Sequence, residues 1–251
     1  MFTPEYSHDL NRELHTVDGA AESLRVLFPD GLPETVLDIG CGTGTWLHAA
    51  QDRGVKDIAG VDGLYLTSEK LFIPKELIRH EDLNLPFDLG RRVDLLFSFE
   101  TAEHIEPENA DVFVDTLVRH SDTILFSAAA PRQPGTHHVN CQWPVYWQEK
   151  FNARGYRCDD APRWKIWDNA SIEPWYRQNM MMAVRDPERA GKEERIRSVV
   201  HPELMENVAS TFLGDHARLI EQGAMRWPWY LTAPLKAAMA KARYKVATVE
   251  K

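Results

Sequence analysis

Four acidic residues recur along the first hundred positions in a way that suits a cationic ligand carrying hydroxyl groups. Asp38, Asp62, Asp82 and Glu100 each stand at or near the end of a short, largely apolar run: Val36–Ile39, Asp57–Val61, Leu77–His80 and Val93–Phe99. A carboxylate in such a place accepts hydroxyl protons and attracts positive charge. Helix capping would account for any one of the four, but accounts poorly for four in series. Between the first two acids, the stretch VLDIGCGTGTWL (36–47) sets glycines at 40, 42 and 44, then a helical pattern with Trp46, Leu47, Ala49 and Ala50 on one face. A strand, glycine turn and helix in that order aim backbone N–H groups and a positive helix end at a ligand. The dinucleotide fingerprint Gly-x-Gly-x-x-Gly/Ala fails because position 45 is Thr, and a pyrophosphate among four carboxylates would be repelled.

A second group of chemistry-bearing residues lies in Pro131–Trp147, PRQPGTHHVNCQWPVYW. It follows the predicted fifth strand, so it enters the same crevice, and it is too long and too rich in Pro and Gly for a plain connection. It carries His137, His138, Asn140, Gln142, Trp143 and Tyr146, and polar and aromatic groups on a crevice loop point to function. Histidine suits the removal of an acceptor proton near neutral pH. His138 is placed ahead of His137, and His104, four positions after Glu100, is the competing candidate. No metal site is expected: adjacent His137 and His138 diverge in an extended segment, and Cys41, Cys141 and Cys158 have no ligand spacing. Cys41 reads as a small residue that fits its turn rather than as a nucleophile. Downstream, Trp164, Trp167 and Trp175 could cover an acceptor, and Arg163, Lys165 and Arg177 hint at an anionic group on it.

The elements that must position these residues alternate strand and helix, the pattern of a doubly wound α/β sheet whose strand ends line the crevice. Residues 1–33 form an N-terminal cap with one amphipathic helix over His8–Leu27, stopped by Pro29 and Pro33. Residues 34–184 form the core, with helices over Pro107–His120 and Val145–Arg154, a fifth strand at Thr123–Phe126 and a last strand at Asn179–Val184. Residues 185–251 form a charged, solvated helix or linker (185–199) and a helical extension interrupted at Pro228 and Pro234.

Residues 36–44 resemble motif I of the class I S-adenosylmethionine (SAM) methyltransferases, (V/L)LD(I/L)GCGTG. Glu100–Ile105, ETAEHI, is similar to the motif IV segment of a subgroup that includes ubiquinone-pathway and sugar methyltransferases. The resemblance, over about residues 34–184, implies a Rossmann-like seven-stranded sheet with the seventh strand antiparallel. It implies backbone contacts from Gly40, Cys41, Gly42 and Gly44 to the methionyl part of SAM, with Asp38 organising its ammonium. It places the ribose hydroxyls on Asp62 beside Gly63, the adenine on Asp82 and the Leu83 backbone, and Glu100 beside the transferred methyl. His138–Pro144, H-x-N-x-Q-W-P, resembles a segment of methyltransferases associated with sugar and polysaccharide biosynthesis.

Composition restricts the partners. A net charge of −9 over 251 residues disfavours nucleic acid, no apolar run approaches a membrane span, and the cysteine usage fits a reduced cytoplasmic location. Trp227–Tyr230 favours self-association, as in a homodimer, or internal packing over membrane contact. The resulting expectation is a metal-independent enzyme that O-methylates a small glycosidic or related metabolite with a histidine base. The alternatives are N-methylation of a small amine, or a SAM-binding sensor or scaffold without catalysis.

Overall fold

The computed structural model describes residues 14–63 and 70–205. Seven strands form one sheet: β1 (Thr35–Ile39), β2 (Asp57–Asp62), β3 (Ile78–His80), β4 (Leu95–Phe99), β5 (Thr123–Ser127), β6 (Tyr156–Asp159) and β7 (Met181–Arg185). Their order is β3-β2-β1-β4-β5-β7-β6. The first five are parallel, and β7 runs antiparallel to both β5 and β6. This is the doubly wound, Rossmann-like sheet expected from the sequence. The chain winds outward from β1 to β3, then restarts at β4 on the other side of β1. The crevice at that reversal is where such sheets take ligands.

Strands buried on both faces read as apolar runs, and those here do. Leu37, Ile39, Leu96, Ile124 and Phe126 join one core, against α3 (Ala110–His120) and α4 (Pro144–Asn152). Val36, Leu95, Phe97, Phe99 and Leu125 join the other, against α1 (Val17–Leu27), α2 (Thr45–Asp52), α5 (Ala161–Ile166) and α6 (Pro174–Asn179). No helix among the described residues is long and apolar enough to cross a membrane.

Several expected boundaries move, each for a local reason. The helix expected over His8–Leu27 is interrupted at Thr16, whose hydroxyl accepts from the Gly19 amide at 3.0 Å and so starts α1 at Val17; positions 8–13 lie outside the described residues. Pro107–Asn109 is a 3-10 turn ahead of α3. Asn179 closes α6 and precedes β7. Strand β6 has no clear signal in the sequence, being four residues in which only Tyr156 and Cys158 are buried. The segment 185–199 is not a solvated helix. The Glu193 carboxylate accepts from the Cys158 amide at 2.9 Å and Asn152 Nδ2 at 2.6 Å, and the buried Ile196 donates its amide to Gln148 Oε1 at 2.8 Å. The Trp227–Tyr230, Pro228 and Pro234 readings fall outside the described residues.

The antiparallel end of the sheet leans on aromatic packing, with the fully buried Phe151 5.4 Å from Phe126 and 6.3 Å from Tyr156, centroid to centroid. Phe151→Ala is expected to lower unfolding free energy by about 3–5 kcal/mol, through lost burial and the cavity left behind. Denaturant titration checks this.

Candidate active site

The glycine turn after β1 is tied to the end of β2 from both sides. The Gly40 and Cys41 amides donate to the Val61 carbonyl at 2.8 and 3.1 Å. The Asp62 carboxylate accepts from the Gly42 amide at 2.6 Å and from the Gly63 amide at 2.7 Å. Gly40 sits at φ +88°, and a Cβ there would overlap the Thr101 hydroxyl, so only glycine lets the turn after β4 lie this close. Thr101 in turn donates to the Phe99 carbonyl at 3.0 Å. Phe72 donates its amide to Thr43 O at 2.9 Å, bringing Ile73 over Gly44.

Asp38, next to the end of β1, is buried, and its Oδ1 has no hydrogen-bond partner among the described residues. Burial, and then the Asp62 carboxylate, pushes its carboxyl well above the usual range. Burial foremost also raises the Cys41 thiol, which rules out a resting thiolate there. Asp82, two residues past β3, is exposed and accepts from the Asn84 amide at 3.0 Å, while Leu83 packs on the core. The four acids at the strand ends thus share one edge of the sheet.

Glu100 is the centre of a network that sequence reasoning did not contain. Its backbone is left-handed at φ +47°, and its amide donates to the Ser127 carbonyl at 3.0 Å. Its carboxylate accepts from Gln133 Nε2 at 2.7 Å and Asn179 Nδ2 at 3.1 Å, and Asn179 Nδ2 also reaches Gln133 Oε1 at 2.9 Å. The end of β4, the loop after β5 and the end of α6 are thereby joined. Burial raises the Glu100 carboxyl, while its bonds from Asn179, Ser127 and Gln133 hold it down.

The 3-10 turn Ala102–His104 follows, and it carries a second residue not singled out from sequence. Glu103 is fully buried, with no hydrogen bond of normal geometry to either carboxylate oxygen. Burial, then the Glu100 charge, pushes its carboxyl far up, only partly offset by its own amide and that of Ala129. The loop Pro131–Trp143 folds onto this turn: the Val139 and Asn140 amides both donate to the Glu103 carbonyl at 2.9 Å. His138 and His104 then meet edge to face at 5.0 Å, and His138 Nε2 lies 4.0 Å from Glu103 Oε1. Burial lowers both histidines, His104 to about 4, so both rings are neutral at pH 7. His137 points outward and contributes its carbonyl, at 3.2 Å from His104 Nδ1.

Two groups of residues are arranged differently from what sequence spacing suggests. His137 is exposed and stands outside any ligand group, whereas spacing along the chain does not report which histidines and acids the fold brings together. The fold brings Glu103, His104 and His138 together, with ligand atoms within 4.8 Å of one another. Arg163 and Arg177 do not face an anionic substrate. Arg163 is buried, pairing with Asp160 and donating to the Gln178 carbonyl at 3.0 Å; Arg177 is buried against Glu203 at 2.5 Å. Lys165 is exposed. Of the tryptophans, Trp147 is core, while the exposed Trp164 stacks at 4.9 Å on Trp167. The wall beside α2 is instead Tyr176, whose hydroxyl meets Trp46 Nε1 at 3.0 Å and His15 Nδ1 at 2.6 Å.

A sequence-family model described as a methyltransferase domain matches residues 6–170, more than half of the chain. The chain belongs to that family. It is a SAM-dependent methyltransferase. No curated protein sequence matches it. Among solved structures, the sugar N-methyltransferase KedS8 from Streptoalloteichus sp. ATCC 53650 is similar at 14% identity, over 72% of this chain and 93% of that one, with a TM-score of 0.53. The methyltransferase domain of a bacterial Hen1 matches at 16% identity, over 68% and 98%, with a TM-score of 0.50. Magnesium protoporphyrin IX methyltransferase from Synechocystis PCC 6803 matches at 16% identity, over 68% and 82%, with a TM-score of 0.46. The likeness to the first two shows the shared fold alone.

The buried, partnerless Asp38 oxygen and the glycine cradle fit a ligand with a positively charged amino acid end. In the ligand-free protein, Asp38 has a folded-state pKa above its unfolded value, so its stabilising contribution is full below pH ~4 and is lost as pH rises through the folded value. Asp38→Asn should therefore gain stability relative to the parent as pH rises from 4 towards 7, by at most about 1.4 kcal/mol per pH unit. Denaturant unfolding at several pH values reads the difference.

Proposed function

We propose that the enzyme methylates a hydroxyl oxygen of a small, sugar-like acceptor seated against Glu103, His104 and His138. The observation that carries this reading is the cluster itself: neutral imidazoles and a buried carboxyl group on and beside the turn after β4, whose Thr101 packs against Gly40 of the glycine cradle. An alcohol is a poor nucleophile until its proton is drawn away, whereas a free amine needs little such help, so proton-handling groups favour oxygen. The polar loop with Asn140 and Gln142, hydrogen-bonded to each other at 3.1 Å, and the aromatic Trp143 and Tyr146 suit a hydroxylated ring.

In this reading Asp38 meets the ammonium of SAM, while Gly40, Cys41, Gly42 and Gly44 line its methionyl part. Asp62, beside Gly63, receives the ribose hydroxyls, and Asp82 with the Leu83 backbone receives the adenine. SAM supplies a methyl on a sulfonium, open to in-line attack. Glu100, fixed by Gln133 and Asn179, sets the turn that holds the acceptor in line with that methyl. The lone-base role expected for His138 is reshaped, because its Nδ1 faces the Gln133 carbonyl at 3.2 Å and its Nε2 faces Glu103. The hydroxyl meets the cluster as a unit. Residues 34–184 carry this chemistry.

Asp62→Ala removes a charged acceptor, worth on the order of 1.5–3 kcal/mol for each ribose hydrogen bond lost. Calorimetry with S-adenosylhomocysteine should show affinity weakened by roughly ten- to a hundred-fold per bond; unchanged affinity would reject the ribose assignment. For the reaction, purified protein is incubated with SAM and a pool of glycosides and sugar nucleotides, and products gaining one methylene are located by tandem mass spectrometry. Methylation on oxygen is expected, with kcat of His138→Ala down by ~10²–10⁴ and product affinity nearly unchanged. Products methylated on nitrogen would reject the reading.

A further inference from the structure

The Glu103 carboxylate poses a problem that the reading above leaves unsolved. Both oxygens are buried without a hydrogen bond of normal geometry, the amides of Glu103 and Ala129 compensate them only in part, and the Glu100 carboxylate close by adds negative charge. A carboxylate placed so is costly unless it takes up a proton or a cation. Two imidazoles face it. One ligand atom from each of Glu103, His104 and His138 lies within 4.8 Å of the others.

The surroundings hold these groups as ligands are held elsewhere. His138 Nδ1 is directed at the Gln133 carbonyl at 3.2 Å, which fixes the tautomer with the Nε2 lone pair on the Glu103 side. His104 Nδ1 is directed at the His137 carbonyl at 3.2 Å, and His137 adopts a left-handed φ of +58° in presenting it. Metal-binding histidines are oriented by such carbonyl bonds to the other ring nitrogen. Gly135 leaves room for the His138 ring, which a Cβ there would overlap. The bonds from Val139 and Asn140 to the Glu103 carbonyl fasten the loop carrying one histidine to the turn carrying the other. The Cys141 thiol lies 3.5 Å from His138 Nδ1, on the side of the ring away from the cluster.

We propose that Glu103, His104 and His138 bind one divalent transition-metal ion, on which a hydroxyl oxygen of the acceptor completes the coordination. This rests on the reading of the cluster as the acceptor site. Two nitrogen donors with one carboxylate favour ions from Mn²⁺ to Zn²⁺ over Mg²⁺ or Ca²⁺, which prefer oxygen throughout. Bonds of ~2.0–2.2 Å require the three side chains to close inward by about 1 Å, and three protein ligands leave positions open. The bound hydroxyl gives its proton to solvent, since the ion stabilises the alkoxide. The alkoxide oxygen then forms a bond to the methyl carbon as the carbon–sulfur bond breaks, and its electron pair leaves with sulfur as neutral S-adenosylhomocysteine.

The full-length protein, stripped with EDTA and dialysed, is titrated with Co²⁺ and with Mn²⁺, read by calorimetry and by the Co²⁺ visible spectrum. One ion per chain is expected. Glu103→Gln and His138→Ala should each weaken binding by at least about a hundred-fold, because outer partners of ligands alone are worth ~10–100-fold. His48→Ala, on α2, should bind as the parent does. Thermal unfolding and S-adenosylhomocysteine binding confirm that each variant is folded, and His104→Ala serves if another variant is not. Absence of stoichiometric binding, or parental affinity in both Glu103→Gln and His138→Ala, overturns the site. Unchanged O-methylation by the stripped protein in EDTA overturns the ion's role in the reaction and leaves the proposed function standing. Ion binding at these residues with methylation on nitrogen supports the site and rejects that function.

Discussion

Negative charge crowded at the carboxyl edge of the sheet is the constraint on which the remainder of this site depends. Asp38 and Glu103 are buried and Glu100 is half-buried beside them, and Asp62 lies close enough to raise Asp38 further. No lysine or arginine among the described residues is paired with Asp38, Glu100 or Glu103, although such pairs are numerous on the surface. Unpaired buried carboxylates take protons or wait for cations. The edge is therefore built for ligands that bring positive charge, which a sulfonium and an ammonium do.

The protein manages this crowding unequally, and the inequality separates roles. Asp62 is satisfied by two backbone amides and so doubles as the tie between the glycine turn and β2. Glu100 is satisfied by side-chain amides from two distant segments and so becomes a structural hub. Asp38 Oδ1 has no hydrogen-bond partner among the described residues, and neither Glu103 oxygen has one of normal geometry. Those unfulfilled atoms mark where binding free energy can be gained, since the desolvation cost is already met in folding.

Rigidity around these atoms comes from contacts that are themselves unfavourable in isolation. Glu100 and His137 hold left-handed backbone at φ +47° and +58°, conformations that cost non-glycine residues free energy. The parallel strands, the Ser127 and Asn179 bonds and the clamp on the Glu103 carbonyl impose them. Displacing the loop after β5 would release His138 and Gln133 together, so the surroundings of Glu103 and of Glu100 are coupled through one loop.

The sequence by itself determined the doubly wound sheet, the glycine cradle and the acids at the strand ends. These signals are local: apolar runs, a turn that needs glycine, and an acid at each run's end, all within about a dozen residues. It also determined that Pro131–Trp147 lies at the crevice. Tertiary structure alone decided what that loop does there. Glu103 and His138 are 35 positions apart and become neighbours only because β4 and β5 are adjacent, parallel and capped by turns that fold together. Gln133 and Asn179 reach Glu100 for the same reason. Arg163 and Arg177 carry charges that a linear reading offers to a substrate, yet α5 and α6 turn them inward onto Asp160 and Glu203. The weak alternation of β6 acquires meaning only from pairing with β7. Periodicity reports which face of an element is buried; which side chains from separate elements share a site is settled by long-range packing.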